Sequence, residues 1–144
     1  MLLVAGVGSP HGADQLGWAV ISALQAQTLP AGVQLMACRQ PAELPPLLLT
    51  ASRAIVVDAM LGGGSPGRIQ QFSLAGLPQA GLRLSSHGLG LVDALQLAAA
   101  LGMPAERATV LALDVGTADA DLDPAWVEAL CAQVHASAHE FFHP

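Results

Sequence analysis

The stretch that most limits what this chain can become is its opening, MLLVAGVGSPHGADQLGWAV. Residues 2–7 read as a buried strand, Gly6, Gly8, Ser9, Pro10 and Gly12 as a tight turn, and the residues beyond Gly12 as a helix whose first turn carries Asp14. Strand, glycine turn and helix in that order build the ligand crevice of an open α/β sheet, which lies outside the carboxyl ends of its parallel strands. Most such turns receive a phosphate. Here Asp14 projects a carboxylate where an anion would sit, and no cation precedes Arg39. The chain has no lysine at all, its cations being Arg39, Arg53, Arg68, Arg83 and Arg107. The turn is therefore expected to hold a cation rather than an anion.

A length of 144 residues suits one domain, 1–144, with a sizeable core. Hydrophobic residues make up 53% and charged residues 11%, as expected for a sheet covered on both faces, whose central strands are apolar throughout. A formal charge of -6 argues against nucleic acid and anionic membrane surfaces, both of which reward clustered cations. No apolar run approaches the roughly 18 residues needed to span a bilayer, and the start lacks the basic region of a signal peptide. A cytoplasmic monomer is expected. Cys38 and Cys131 lack CxxC spacing and read as reduced thiols.

Leu16, Val20 and Leu24, joined by Ala19 and Ala23, lay the first helix on the sheet. Residues 33–37 read as a second strand, and 41–50 as a short helix entered through prolines. Residues 54–57 form a largely β-branched run that ends abruptly in Asp58, reading as a central parallel strand with a carboxylate at its end. The loop 61–67, LGGGSPG, is mobile by composition, and 68–74 reads as an edge strand, antiparallel to the rest. Residues 82–86 lead into His87; a third helix is expected over 91–101, with Leu91, Ala94, Leu95, Ala98 and Leu101 on one face and Gly102 stopping it. Residues 109–113 read as the last strand. Asp123 then caps a closing helix with Pro124 at its first position and Val127, Leu130, Val134, Ala138 and Phe141 as its stripe. The alternation predicts a three-layer α/β sandwich with about five mostly parallel, twisted strands flanked by helices.

That topology gathers Asp14, Asp58 and His87 at one sheet edge. Two carboxylates and an imidazole make a mixed site suited to Ni²⁺, Zn²⁺ or a similar divalent ion, with positions left open for a partner. Each residue has a plainer reading: Asp14 as a helix cap, Asp58 as a turn former, His87 as a helix-start residue. Their joint placement favours the site.

The segments GVGSPHGADQLGW (6–18), IVVDA (55–59) and SHGLG (86–90) resemble, in order and spacing, the three signatures of the NiFe-hydrogenase maturation proteases, and the resemblance runs over nearly the whole chain. It implies an endopeptidase that removes a short C-terminal extension from the hydrogenase large-subunit precursor once nickel has been inserted. It also carries the family's metal-binding roles onto Asp14, Asp58 and His87. Nickel already held by the substrate's thiolates would gain these three ligands, so that only a loaded centre licenses cleavage. Two departures stand out. Ala13 precedes Asp14 where the family usually has a second acid, and Asp14 is aligned as the ligand because Gly17 then meets the family's glycine. After the second strand, where the family often has an acid in a glycine-rich turn, this chain has Ala37, Cys38, Arg39, Gln40 and Pro41. Arg39 is either an ordinary surface charge or a holder of a substrate carboxylate through its guanidinium fork.

Nothing in the sequence sets a base and an orienting acid around Ser9, Ser85 or Ser86 as a triad requires, and HExxH is absent. Metal polarisation of the scissile carbonyl or activation of a bound water is the default chemistry. His135, His139 and His143 recur every four residues and read as a solvated row beside the core stripe. Trp18 reads as packing near the cleft rim. Two rival functions remain: a nucleotide-binding domain, which Asp14 opposes, and a non-catalytic nickel-sensing or metallochaperone module, which would leave its partner uncut.

Overall fold

Six consecutive buried residues, Leu2–Val7, form β1 in the computed structural model, which describes residues 1–80, 83–84 and 88–144. The remaining strands are β2 (Val33–Cys38), β3 (Arg53–Leu61), β4 (Ile69–Ser73) and β5 (Ala108–Gly116). They join in the order β2-β1-β3-β5-β4. The pairs β1–β2, β1–β3 and β3–β5 are parallel, and the edge strand β4 runs antiparallel to β5, as its imperfect alternation predicts.

The helices are α1 (Leu16–Gln25), α2 (Leu44–Thr50), α3 (Leu77–Ala80), α4 (Gly88–Ala100) and α5 (Pro124–Phe142). One face of the sheet, through Leu2, Val4, Ile55 and Val57, packs on Leu16, Val20 and Leu24 of α1 and on Leu130 and Val134 of α5. The other, through Leu3, Ala5, Val56 and Met60, packs on Leu44 and Leu48 of α2 and on Leu91 and Leu95 of α4. Both faces being covered, the central strands carry no polar alternation, which is why they read as continuous apolar runs. Among the described residues no helix is long and apolar enough to cross a membrane.

The chain leaves β1 through α1 to β2 on one side, and returns through α2 to β3 on the other. The connections therefore diverge between β1 and β3, and in an open parallel sheet the crevice opens at that divergence.

Four boundaries depart from the sequence-based expectation. β3 does not stop at Asp58 but continues to Leu61, because β5 goes on pairing with it through Asp58↔Ala112, Ala59↔Leu113 and Met60↔Asp114. α4 begins at Gly88 rather than 91, its two early glycines being helical. Leu101, assigned to the α4 stripe, lies past the end of the helix and is 60% exposed, beside Gly102 at φ +114°. The loop 62–67, mobile by composition, is tied by backbone hydrogen bonds from Gly62 to Gly116 and from Gly67 to Asp114.

Candidate active site

The glycine turn brings α1 onto the sheet with no side chain between. A Cβ on Gly17 would lie 2.8 Å from the Val7 nitrogen and 2.9 Å from the Val57 carbonyl oxygen, and one on Gly6 would collide with the Gly17 backbone. The turn between them is closed by two backbone bonds, Ser9 N–H to the Asp14 carbonyl (3.1 Å) and Asp14 N–H to the His11 carbonyl (3.0 Å). Asp14 thus sits in a 3-10 turn, Gly12–Gln15, that packs against β3.

Asp14 is only 5% exposed. Ser9 Oγ donates to its Oδ2 at 2.5 Å, while Oδ1 is buried and receives no hydrogen bond from the described residues. A buried carboxylate oxygen without a donor is costly, and such an atom in a folded protein calls for an explanation, an ion among them.

Asp58 is fully buried, and Ala59 N–H donates to its Oδ1 at 2.8 Å. Pairing of β1 with β3 ends at Gly6↔Val57, so Asp58 is the first residue of β3 beyond the strand that carries the glycine turn. It shares parity with Ala54, Val56 and Met60, which face the α2 and α4 layer. His87, the third residue expected at this edge, lies outside the described residues, as do Ser85 and Ser86. Asp14 and Asp58 therefore come to the same divergence of connections, one above β1 and the other on β3.

Sequence reasoning missed Asp114, an acid 1% exposed on β5. Its Oδ2 accepts from Ser65 N–H at 3.0 Å and its Oδ1 from Gly116 N–H at 2.8 Å, so it organises the loop 62–67. The signal was the one that marks Asp58, an apolar strand running into an aspartate.

Beside Asp14 opens a cavity of about 380 Å³ lined by Gly8, Ser9, Pro10, Trp18 and Arg39. Trp18 Nε1 donates to the Cys38 carbonyl at 2.9 Å, and Cys38 Sγ donates to the Gln40 carbonyl at 2.9 Å. Burial, reinforced by the nearby Glu43 charge, pushes the Cys38 thiol up to about 11, so it stays protonated at neutral pH and is no nucleophile. Burial likewise raises the Cys131 thiol, and both cysteines are free. A second cavity, about 430 Å³ and apolar, begins at Gln40 and Pro41 and reaches Ala94 and Leu97 of α4.

The histidine row on α5 has His139 and His143 exposed with ring centroids 4.8 Å apart, and His135 lies 2.6 Å from Gln27 Oε1. Among the described residues no three His, Cys, Asp or Glu side chains form a metal-binding group.

A family model described as hydrogenase maturation protease matches residues 18–136, most of the chain. The chain belongs to the hydrogenase maturation proteases. It is a maturation endopeptidase by family, and the matched span holds Asp58 and His87 and begins after Asp14. No curated protein matches. Among solved structures the chain is similar to the hydrogenase maturating endopeptidase HybD from E. coli, at 24% identity over 96% of this chain and 92% of that one, with a TM-score of 0.80. It is also similar to the NiFe-hydrogenase maturation protease HybD from Thermococcus kodakarensis, at 19% identity over 97% of each chain, with a TM-score of 0.66. The maturation protease HycI from Thermococcus kodakarensis KOD1 aligns at 18% identity over 94% of this chain and 90% of that one, with a TM-score of 0.72. At these identities the structures establish the shared fold, a mostly parallel five-stranded sheet between helices.

Proposed function

We propose that this maturation protease removes the C-terminal extension of a NiFe-hydrogenase large-subunit precursor after nickel insertion, reading the nickel of its substrate through Asp14, Asp58 and His87. The observation that carries the reading is Asp14 Oδ1, buried at the crevice with no hydrogen bond. Carboxylate oxygens and an imidazole suit Ni²⁺, and a charged oxygen left without a donor fits an ion that arrives with the substrate. The ion would supply Lewis-acid polarisation at the scissile peptide.

The chain's own residues do the remaining work. Ser9 fixes the Asp14 carboxylate by its hydroxyl, leaving Oδ1 aimed away from its only donor. The backbone contact of Gly17 with Val7 and Val57 holds Asp14 at a constant height above the strand that bears Asp58. Cys38 is kept protonated and inert, which leaves hydrolysis to water rather than to a thiolate.

The test is incubation of the protein with nickel-loaded and nickel-free precursor from the same source, followed by intact mass. Loss of the extension in the loaded sample alone, abolished by Asp14→Asn or His87→Ala, is the expected result. Cutting of both precursors would keep the protease and discard nickel as its licence. Binding without cutting would replace the protease by a nickel-sensing module.

A further inference from the structure

We propose that Arg39 is the specificity determinant of the cleft, pairing its guanidinium with a carboxylate in the precursor's C-terminal extension; this rests on the processing role proposed above. Arg39 lines the same cavity as Ser9, whose hydroxyl holds Asp14, and among the described residues it is the only charged side chain in that lining.

Its placement is built rather than incidental. The carbonyl before it, that of Cys38, is held by the Trp18 indole, and the carbonyl of the next residue, Gln40, is held by the Cys38 thiol. The peptide group that precedes Arg39 is thereby fixed and the turn is tied back to Cys38 one residue beyond it, so the backbone that carries Arg39 is held on both sides. The burial that keeps Cys38 protonated preserves the second of these bonds, since a thiolate cannot donate.

The cation is also left open. Arg39 makes no hydrogen bond or ion pair among the described residues, in a chain where acids outnumber arginines 11 to 5. A guanidinium engages a carboxylate with two parallel hydrogen bonds, and Pro10 and Trp18 line the cavity beside it. The carboxylate has two sources, an Asp or Glu side chain of the extension or the terminal carboxylate of the precursor.

The test uses nickel-loaded precursor and the full-length protein. Arg39→Gln is expected to lower kcat/KM by ~10- to 100-fold, mainly through KM, the worth of a hydrogen-bonded charge pair. Arg39 is exposed, so an unchanged thermal melt will verify that the variant folds. Each Asp or Glu of the extension is then replaced by Asn or Gln, and in a separate arm the terminus is lengthened by a neutral Gly-Ser pair. The carboxylate read by Arg39 is the one whose loss slows the wild-type enzyme and leaves Arg39→Gln unaffected. For a side-chain source, a Lys at that position should be cut faster by Arg39→Glu than by the wild type. If Arg39→Gln cuts as well as wild type, or every carboxylate change slows both enzymes equally, the inference is wrong while the protease reading stands. If wild type cuts no precursor, the processing role itself fails.

Discussion

Asp14 and Asp114 are both buried, and each organises a glycine-rich turn, yet they are treated in opposite ways. Both carboxylate oxygens of Asp114 accept backbone N–H groups, from Ser65 and Gly116, and its own backbone is bonded to Gly67 and Arg68. Asp14 has one oxygen on Ser9 and the other, among the described residues, on nothing. A buried carboxylate with both oxygens engaged serves the fold; one with an oxygen spare costs stability and calls for a reason beyond the fold. The two loops teach that burial alone does not distinguish these acids. The state of the second oxygen does.

The widest separation is expected from a reciprocal pair of substitutions. Asp14→Asn should cut precursor processing by more than ~100-fold if it is the metal ligand proposed above, while leaving the urea midpoint unchanged or slightly raised. Asp114→Ala should instead cost about 3 kcal/mol of stability, from two charge-accepting bonds lost and two N–H groups stranded. Equal destabilisation by both would erase the distinction.

Gly63→Ala tests how tightly the Asp114 loop is fitted. A Cβ there would stand 2.5 Å from Asp114 Oδ2, so the carboxylate must turn from its donors, at a cost of about 1–3 kcal/mol in chemical denaturation. A silent Gly63→Ala would mean that the loop yields. The smallest effect belongs to Ser9→Ala, which strips Asp14 of its only side-chain donor; processing should fall by roughly 10-fold with stability changed by about 1 kcal/mol. No change in rate would show that Ser9 does not orient the carboxylate.

Most of the frame was legible because its elements have clean periods. β1, β2 and α5 begin within a residue of where the sequence puts them, whereas α1 starts at Leu16, behind a 3-10 turn that holds Asp14; Asp123 caps α5 through Ala125 N–H as its position before Pro124 predicts. The three-layer arrangement and the antiparallel β4 came from element order. The hidden parts depend on partners distant in sequence. β3 and β5 each run three residues past their expected ends because they pair with one another there, which left Asp114 unread. The helical glycines at 88 and 90 and the short α3, containing Pro78, oppose local propensity and are set by their surroundings. At the site, Asp14 was visible as an acid following the glycine turn and Asp58 as an acid closing an apolar run. That Arg39 lines a cavity was not, since an exposed arginine looks the same in sequence whether its backbone is free or clamped by Trp18 and Cys38.

The contact of the Gly17 backbone with Val7 and Val57 has a mechanical consequence. Two packed layers of side chains can absorb a displacement by changing rotamers, but two touching backbones have nothing to compress. The joint between α1 and the sheet therefore behaves as a fixed datum, and the height of Asp14 above β3 is set by peptide geometry instead of by side-chain volume. Trimming Leu16, Val20 or Leu24 should loosen the core while leaving that spacing where it was, whereas one methyl group added at Gly17 would lift the whole turn.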